Sequence, residues 1–496
     1  MNLVEKLRRH SLFIVLLFML LLLLLVRLDA IPSAWFDEGY KMNAAYTLAE
    51  YGVYGTYTLD GFVPFDPGTS SGPVDLGLTA LAFRVFGVGL VQARLVSALF
   101  GLLGAYALYA LAGRIYGRDA AWFVAGIAVL FPPLNAVNFV LLSRQVLSEA
   151  AAVGLILLGL FIWLSRLEQP GGWKAVLAGL LIGAGLLSKT QIALALVPAL
   201  VVVIGLRTIW LRGALLRESL IVVSVLAVIG GWMLAGNLLT PPDVRAQNST
   251  LLLDAIRTNL LTDLFGSTLT RWAEVIAVLM AFSGVYAIRH LRHPDRLRTP
   301  AMQAEFAIGV MILFTMGWYV LLSVGWPRYS YFGLILSAVV IGSMVWRMGA
   351  WMQAHWKLPR ALAAGAMVAI LFVWNGAPLV AEPPSDGLKE TAAYARQMIP
   401  ADAVIETWDW QVDIFLGNLE RIHHPPQDYL FEAIRQFSHY QVPFDLRYDL
   451  LQSDPDYLIV GPFTRWSSIY AAEQIEDHFV QVEQYGGYAV FQRQPG

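Results

Sequence analysis

The sequence predicts an all-α polytopic membrane domain followed by a small C-terminal α/β domain. Three observations carry this reading. Of 496 residues, 57% are hydrophobic and only 14% are charged, too little charged surface to keep a chain of this length in solution. Several uncharged apolar runs reach the roughly 17–25 residues needed to cross a hydrocarbon core. After Ala377 such runs stop, and short helix and strand patterns follow.

The first apolar run, Ser11 to Val26, follows Lys6, Arg8 and Arg9 and so has the outline of a signal peptide. The segment Arg27-Leu28-Asp29-Ala30-Ile31-Pro32 offers a poor small-residue cleavage site, so the run is expected to stay as a first span. The next runs are Leu90 to Ala112, Ala120 to Val140, Glu149 to Leu164, Trp173 to Leu187 and Ile192 to Leu206. They continue with Leu220 to Gly236, Trp272 to Ile288, Phe306 to Ser323, Tyr331 to Trp346 and Ala361 to Ala377. This makes about eleven transmembrane helices, interrupted at Pro132-Pro133 and Pro198.

Basic residues recur in alternate loops: Arg114 and Arg118; Arg166 and Lys174; Arg207, Arg212 and Arg217; Arg289, Arg292, Arg296 and Arg298; Arg347, Lys357 and Arg360. Cytoplasmic loops carry such an excess, which predicts a plasma-membrane topology with the amino terminus inside and the carboxyl terminus outside. Three long segments then face outward: Asp29 to Gly89, Asn237 to Arg271 and Glu382 to Gly496. Long polar segments gathered on one face point to chemistry there.

Net charge is −2, so nothing global points to nucleic acid. Cysteine is absent, which excludes disulfides, thiolate catalysis and Cys-ligated metal.

The first outer loop opens with Trp35-Phe36-Asp37-Glu38-Gly39-Tyr40. Asp37 reads as a cap for an amphipathic stretch from Glu38 to Tyr51, and Leu76 to Phe86 forms a second. Both are too short to cross and are expected to lie at the interface. Between them runs a turn-rich segment with Asp60, Asp66, Asp75 and Gly/Pro/Ser-rich residues. The pair Asp37-Glu38 can be a helix cap with a solvated charge, or a carboxylate that takes a proton from an acceptor hydroxyl. Trp35 and Phe36 beside it would raise its pKa by desolvation.

This ordered set, together with Arg94-Leu95-Val96-Ser97 and Gly101 in the second span, resembles the GT-C superfamily of membrane glycosyltransferases. Within it, the likeness is to the protein O-mannosyltransferase and aminoarabinose transferase group, over about Ser11 to Trp346. The resemblance implies a sugar transferred from a polyprenyl-phosphate donor to a lipid, glycan or protein acceptor among membrane lipids, on the outer face. It implies that Asp37 is the catalytic base, with Glu38 the second member of the acidic pair. The outer turn Arg144-Gln145-Val146-Leu147-Ser148-Glu149 matches a family turn bearing Arg and an acid five residues on, with Glu in place of the usual Asp. Glu149 otherwise reads as a charge favouring a helix amino terminus, whereas ionisable residues inside membranes are functional by default.

Lys189 and Arg328 stand at outer span ends, where the positive-inside bias disfavours them. With Arg144 they are candidates to bind the donor phosphate and steady the leaving charge; snorkelling to ordinary headgroups is the alternative. The sequence requires no cofactor and leaves a divalent cation open. His423-His424 reads as a loop, and the sequon Asn248-Ser249-Thr250 carries no weight.

Past the linker Glu382 to Gly387, Leu388 to Met398 reads as a helix and Ala403 to Thr407 and Tyr457 to Val460 as strands. Phe479 to Glu483 and Tyr488 to Gln492 read as a hairpin around Gly486-Gly487. The expected domains are 1–380 and 381–496, the second capping the site or choosing the acceptor. The competing readings are a lipid-linked oligosaccharide flippase, for which no internal repeat is visible, and a GT-C-like glycan polymerase or ligase.

Overall fold

The computed structural model describes residues 3–58, 61–67, 72–131, 137–164, 172–210, 215–260, 271–289, 299–323, 326–357, 359–381, 386–417, 419–426, 429–430 and 448–495. Asp60, residues 68–71, Pro132-Pro133, linker residues 382–385 and the basic residues Arg166, Arg212, Arg292, Arg296 and Arg298 lie outside this set.

The chain opens with α1 (Leu3–Leu25). The segment after it folds into α2 (Phe36–Glu50), a hairpin of β1 (Gly55–Thr58) and β2 (Gly61–Pro64), and α3 (Pro73–Phe86). There follow α4 (Leu90–Tyr116), α5 (Arg118–Leu130), α6 (Phe139–Leu142), α7 (Glu149–Leu164), α8 (Gly172–Ser188), α9 (Gln191–Trp210) and α10 (Leu215–Leu239). After them come α11 (Pro242–Leu260), α12 (Arg271–Ile288), α13 (Pro300–Leu321), α14 (Tyr331–Trp356) and α15 (Arg360–Val380). Among the described residues, 6 helices are long and apolar enough to cross a membrane, and shorter apolar helices cover His10–Leu25, Glu149–Leu164, Gly172–Ser188 and Val275–Ile288. The expected span Ala120 to Val140 is not one continuous helix: α5 stops at Leu130, Phe131 is extended, and α6 begins at Phe139.

Packing follows composition. α7 carries no charge after Glu149 and is buried almost all round, as a helix inside a bundle must be. α10 and α15 instead expose Val223, Leu226, Leu234, Ile370, Val373 and Trp374, the surface a lipid-facing helix presents. α8 and α10 meet backbone to backbone: a Cβ on Gly179 would lie 2.5 Å from the Ile221 carbonyl oxygen.

Two elements escape the sequence patterns. The turn-rich segment after α2 contains the hairpin β1–β2, with Gly55 paired to Pro64. The segment Asn237 to Arg271 contains α11, whose polar sequence gives no apolar period to read.

The C-terminal part comprises α16 (Leu388–Met398), β3 (Ile405–Thr407), α17 (Asp413–Leu416), β4 (Ile422–His423), β5 (Tyr457–Val460), β6 (Phe479–Tyr485) and β7 (Tyr488–Arg493). They form a mixed five-stranded sheet in the order β4-β3-β5-β7-β6, parallel on the β3 side and antiparallel at the β6–β7 hairpin. Gly387 stands at φ +86, and a Cβ there would meet the Tyr485 carbonyl oxygen at 1.8 Å, so only glycine lets the linker pass this hairpin.

The sheet's core is continuous with α2 and α3. Met42, Ala45 and Ala49 of α2 and Leu76 of α3 share one apolar cluster with Leu388, Ala392, Ile405 and Ile422. α2 is thereby sandwiched between the C-terminal sheet and the helical bundle.

Candidate active site

α2 divides its side chains among three neighbours. Phe36, Tyr40 and Asn43 face the C-terminal domain: Phe36 stacks on Phe463 at 3.7 Å, Tyr40 meets Trp410 edge-on at 4.9 Å, and Asn43 donates to Asp413 at 2.7 Å. Glu38 turns toward Arg94 of α4. Asp37 and Lys41, one turn apart, share a third face. The helix starts at Phe36, with Trp35 as a cap lacking a side-chain bond. Asp37 therefore lies in the first turn, not at the cap, where its charge still favours the helix amino terminus.

On that third face Asp37 meets Arg328 at 2.5 Å. Arg328 comes from the 3₁₀ turn Pro327–Ser330 that leads into α14, and its guanidinium lies 4.9 Å from the Trp326 ring. Beside them Lys189, just past α8, meets Glu149, the first residue of α7, at 2.7 Å. The two pairs feel one another: Lys189 acts on Asp37, and Glu149 acts on Arg328. Four separate stretches of chain thus deliver the expected Asp37, Glu149, Lys189 and Arg328 to one cluster. Asp37 and Arg328 keep 32% and 21% side-chain exposure against 2% for Glu149, so the first pair is the one open to a ligand.

Burial pushes the Asp37 carboxyl up, but Arg328, helped by Lys189 and Lys41, outweighs it and holds the carboxyl below the usual range. This reverses the expectation that desolvation by Trp35 and Phe36 dominates. Lys41 is also buried, and burial lowers its pKa against the pull of Asp75, Glu149 and Asp37. Burial raises Asp75 in turn, with Lys41 opposing. The sequence reading missed Lys41; its i+4 spacing from Asp37 was the available signal. Counting Asp37, Asp75 and Glu149 against Lys41, Lys189 and Arg328, the cluster balances.

Glu38 and Arg144 have different surroundings. Glu38 is fully buried, receives both Nε and Nη2 of Arg94 at 2.8 and 2.7 Å, and accepts the Val146 amide at 3.0 Å. Arg94 also donates to the Leu28 carbonyl at 2.8 Å. Arg144, expected at the donor phosphate, instead donates to the carbonyls of Leu23, Val26 and Ile31. Both arginines therefore satisfy backbone carbonyls where the first span ends. Gly101 serves the same region, because a Cβ there would lie 2.6 Å from Ser143.

Among the described residues, no three His, Asp or Glu side chains are grouped to hold a metal. His424 is buried against Asp413, and Asn248 donates to the carbonyls of Pro64 and Phe65.

The fold is shared with solved structures of an ArnT and of an archaeal oligosaccharyltransferase. ArnT from Cupriavidus metallidurans bound to undecaprenyl phosphate is similar over 98% of this chain and 100% of its own, with a TM-score of 0.61 at 14% identity. The apo state of that ArnT covers 99% of each chain, with a TM-score of 0.60 at 13% identity. The apo oligosaccharyltransferase of Archaeoglobus fulgidus matches over 96% of this chain and 73% of its own, with a TM-score of 0.57 at 14% identity. The family model described as dolichyl-phosphate-mannose-protein mannosyltransferase matches residues 70–234, from the loop before α3 into α10. No curated protein matches the sequence significantly.

Proposed function

We propose that this protein transfers a sugar from a polyprenyl-phosphate donor to a hydroxyl acceptor at the outer face of a plasma membrane. The observation that carries the reading is the partly open Asp37–Arg328 pair beside Glu149–Lys189, on a fold shared with ArnT bound to undecaprenyl phosphate. A base and a set of cations are what displacement of a lipid phosphate requires.

In this reaction the acceptor oxygen bonds to the anomeric carbon as the bond from that carbon to the phosphate oxygen breaks. The acceptor proton passes to Asp37, and polyprenyl phosphate leaves as an anion, so no general acid is needed. The displacement inverts the anomeric centre. Arg328, Lys189 and Lys41 steady the departing charge. Arg328 has a second effect: as long as it pairs with Asp37, the base is weak. A phosphate that draws Arg328 away restores the basicity of Asp37 when the donor is in place. Glu149 keeps Lys189 oriented, and Glu38 and Arg144 set the height of α2 against the bundle.

A charge cluster at one end of the bundle, beside the C-terminal domain, suits chemistry at an interface better than a transporter's site at the bilayer midplane. The acceptor can be a lipid, a glycan or a protein. Transfer of a labelled sugar from polyprenyl phosphate by the purified chain in lipid tests the proposal.

A further inference from the structure

We infer that His424, Asp413 and Asn43 form a positioning relay that fixes the helix of the catalytic base, and that the relay is complete only while His424 carries both ring protons.

The argument starts from what surrounds the imidazole. His424 is 1% exposed. Its Nδ1 lies 2.8 Å from the Thr407 carbonyl oxygen, and its Nε2 lies 3.0 Å from each Asp413 oxygen. A carbonyl and a carboxylate only accept, whereas a neutral imidazole has a single N–H. Both contacts are therefore satisfied together only by the imidazolium. Trp410 lies flat on the ring, with centroids 3.8 Å apart and planes 10° from parallel, a placement that favours a cation.

The relay then crosses to α2. Asp413 accepts from Asn43 Nδ2 at 2.7 Å, and Asn43 Oδ1 accepts the Tyr57 amide at 3.1 Å. The join is tight: a Cβ on Gly39 would stand 2.1 Å from the Gln411 backbone nitrogen. Asn43 and Asp37 belong to the same helix, so a shift at Asn43 moves the base relative to Arg328 and Lys189.

The charged and titratable neighbours of His424 are Asp413 on α17, Glu406 on β3 and His423 beside it on β4. Burial pushes His424 toward neutrality, but Asp413, the Thr407 carbonyl and Glu406 together raise it above its usual value. His423 is pushed down by burial and by His424. A histidine raised on folding contributes stability that is complete below its unfolded pKa of about 6.5. That stability fades as pH rises through the folded value. Deprotonation leaves a ring nitrogen without a proton facing an acceptor and leaves Asp413 buried without its counter-charge.

The catalytic half of this inference rests on the proposed transfer reaction; the stability half does not. The test uses the full chain in lipid and reads both thermal unfolding and sugar transfer from about pH 6 to about pH 9, a window spanning the histidine range. The wild-type melting temperature is expected to fall across this window, and His424→Gln is expected to show a smaller fall, the remainder coming from Glu406, whose carboxyl burial raises to about 7. If His424→Gln does not fold, Asp413→Asn serves, with the fall moved to lower pH. Asn43→Ala keeps the His–Asp pair, so it keeps the fall. Its kcat, however, should drop about 10- to 100-fold at unchanged donor KM, the cost of a misplaced base. Adding His424→Gln to Asn43→Ala should cost little more in kcat. Equal pH dependence of melting in wild type and His424→Gln, or a normal kcat in Asn43→Ala, overturns the relay. If the wild type melts as expected but transfers no sugar, the relay stands and the proposed reaction falls.

Discussion

Asp37 and Arg328 are 291 positions apart in the chain and meet at 2.5 Å. The contact joins α2 to the turn before α14 and couples the candidate base to a candidate phosphate ligand. Most of the behaviour expected of the site follows from this pair.

The first prediction concerns acid. Because Arg328 holds the Asp37 carboxyl below its usual range, the base is ionised in the free protein down to low pH. Its contribution disappears only as pH falls through that depressed value. The kcat/KM for transfer should therefore be flat on its acid side down to about pH 5, since it reports groups of the free enzyme. An acid limb centred near neutrality would mean that desolvation prevails over Arg328.

Removing a phosphate-facing cation should weaken donor binding and turnover together. Arg328→Ala is the cleaner case, since its partner Asp37 is partly exposed, whereas Lys41→Met leaves buried Asp75 without its cation; both are read from donor KM and kcat. Lys189→Met also strands Glu149, which is 2% exposed, at a stability cost of about 3–5 kcal/mol. Lys189→Met with Glu149→Gln should recover the melting temperature but not donor binding.

Glu38 should behave as a brace. Glu38→Gln leaves Arg94 buried with its charge uncompensated, which should cost about 3–5 kcal/mol in thermal unfolding. Pairing it with Arg94→Met should restore much of that loss, because a neutral pair needs no counter-charge. A Glu38→Gln protein that melts like wild type would separate Glu38 from the support of α2.

Topology is checked by reporter fusions. Fusions after Arg118, Arg217 and Arg298 should score cytoplasmic, and one after Gly496 external, from the alternation of basic loops. A cytoplasmic carboxyl terminus would move the charge cluster to the wrong face.

How far the sequence reached depended on whether a residue's partner has a local signature. The bounds of α7, α16 and β5 match the sequence-based expectation because apolar period and flanking breakers define them. The four charges at span ends stood out because membranes tolerate few such residues. Asp37 and Glu38 are adjacent, yet a helix turns about 100° per residue; one faces the cluster and the other Arg94, and only tertiary packing decides which. The partners of Arg144 were not legible because they are backbone carbonyls, and these leave no mark on side-chain patterns. Lys41 was missed because its neighbours Asp75 and Glu149 are brought to it only by the fold. His424 looked like part of a loop because its partners Asp413 and Thr407 meet it only through the sheet.

Single-turnover sugar transfer by the purified protein in lipid, comparing wild type with Asp37→Asn, tests the central claim most directly. A polyprenyl-phosphate sugar is supplied in trace amount beneath excess protein, and release of polyprenyl phosphate is followed with donor binding. The asparagine variant should bind the donor nearly as wild type does. Its transfer should be slower by about 10²–10⁴-fold, the contribution of a positioned general base. Transfer by Asp37→Asn at the wild-type rate would contradict the account and leave Asp37 as no more than the counter-ion of Arg328.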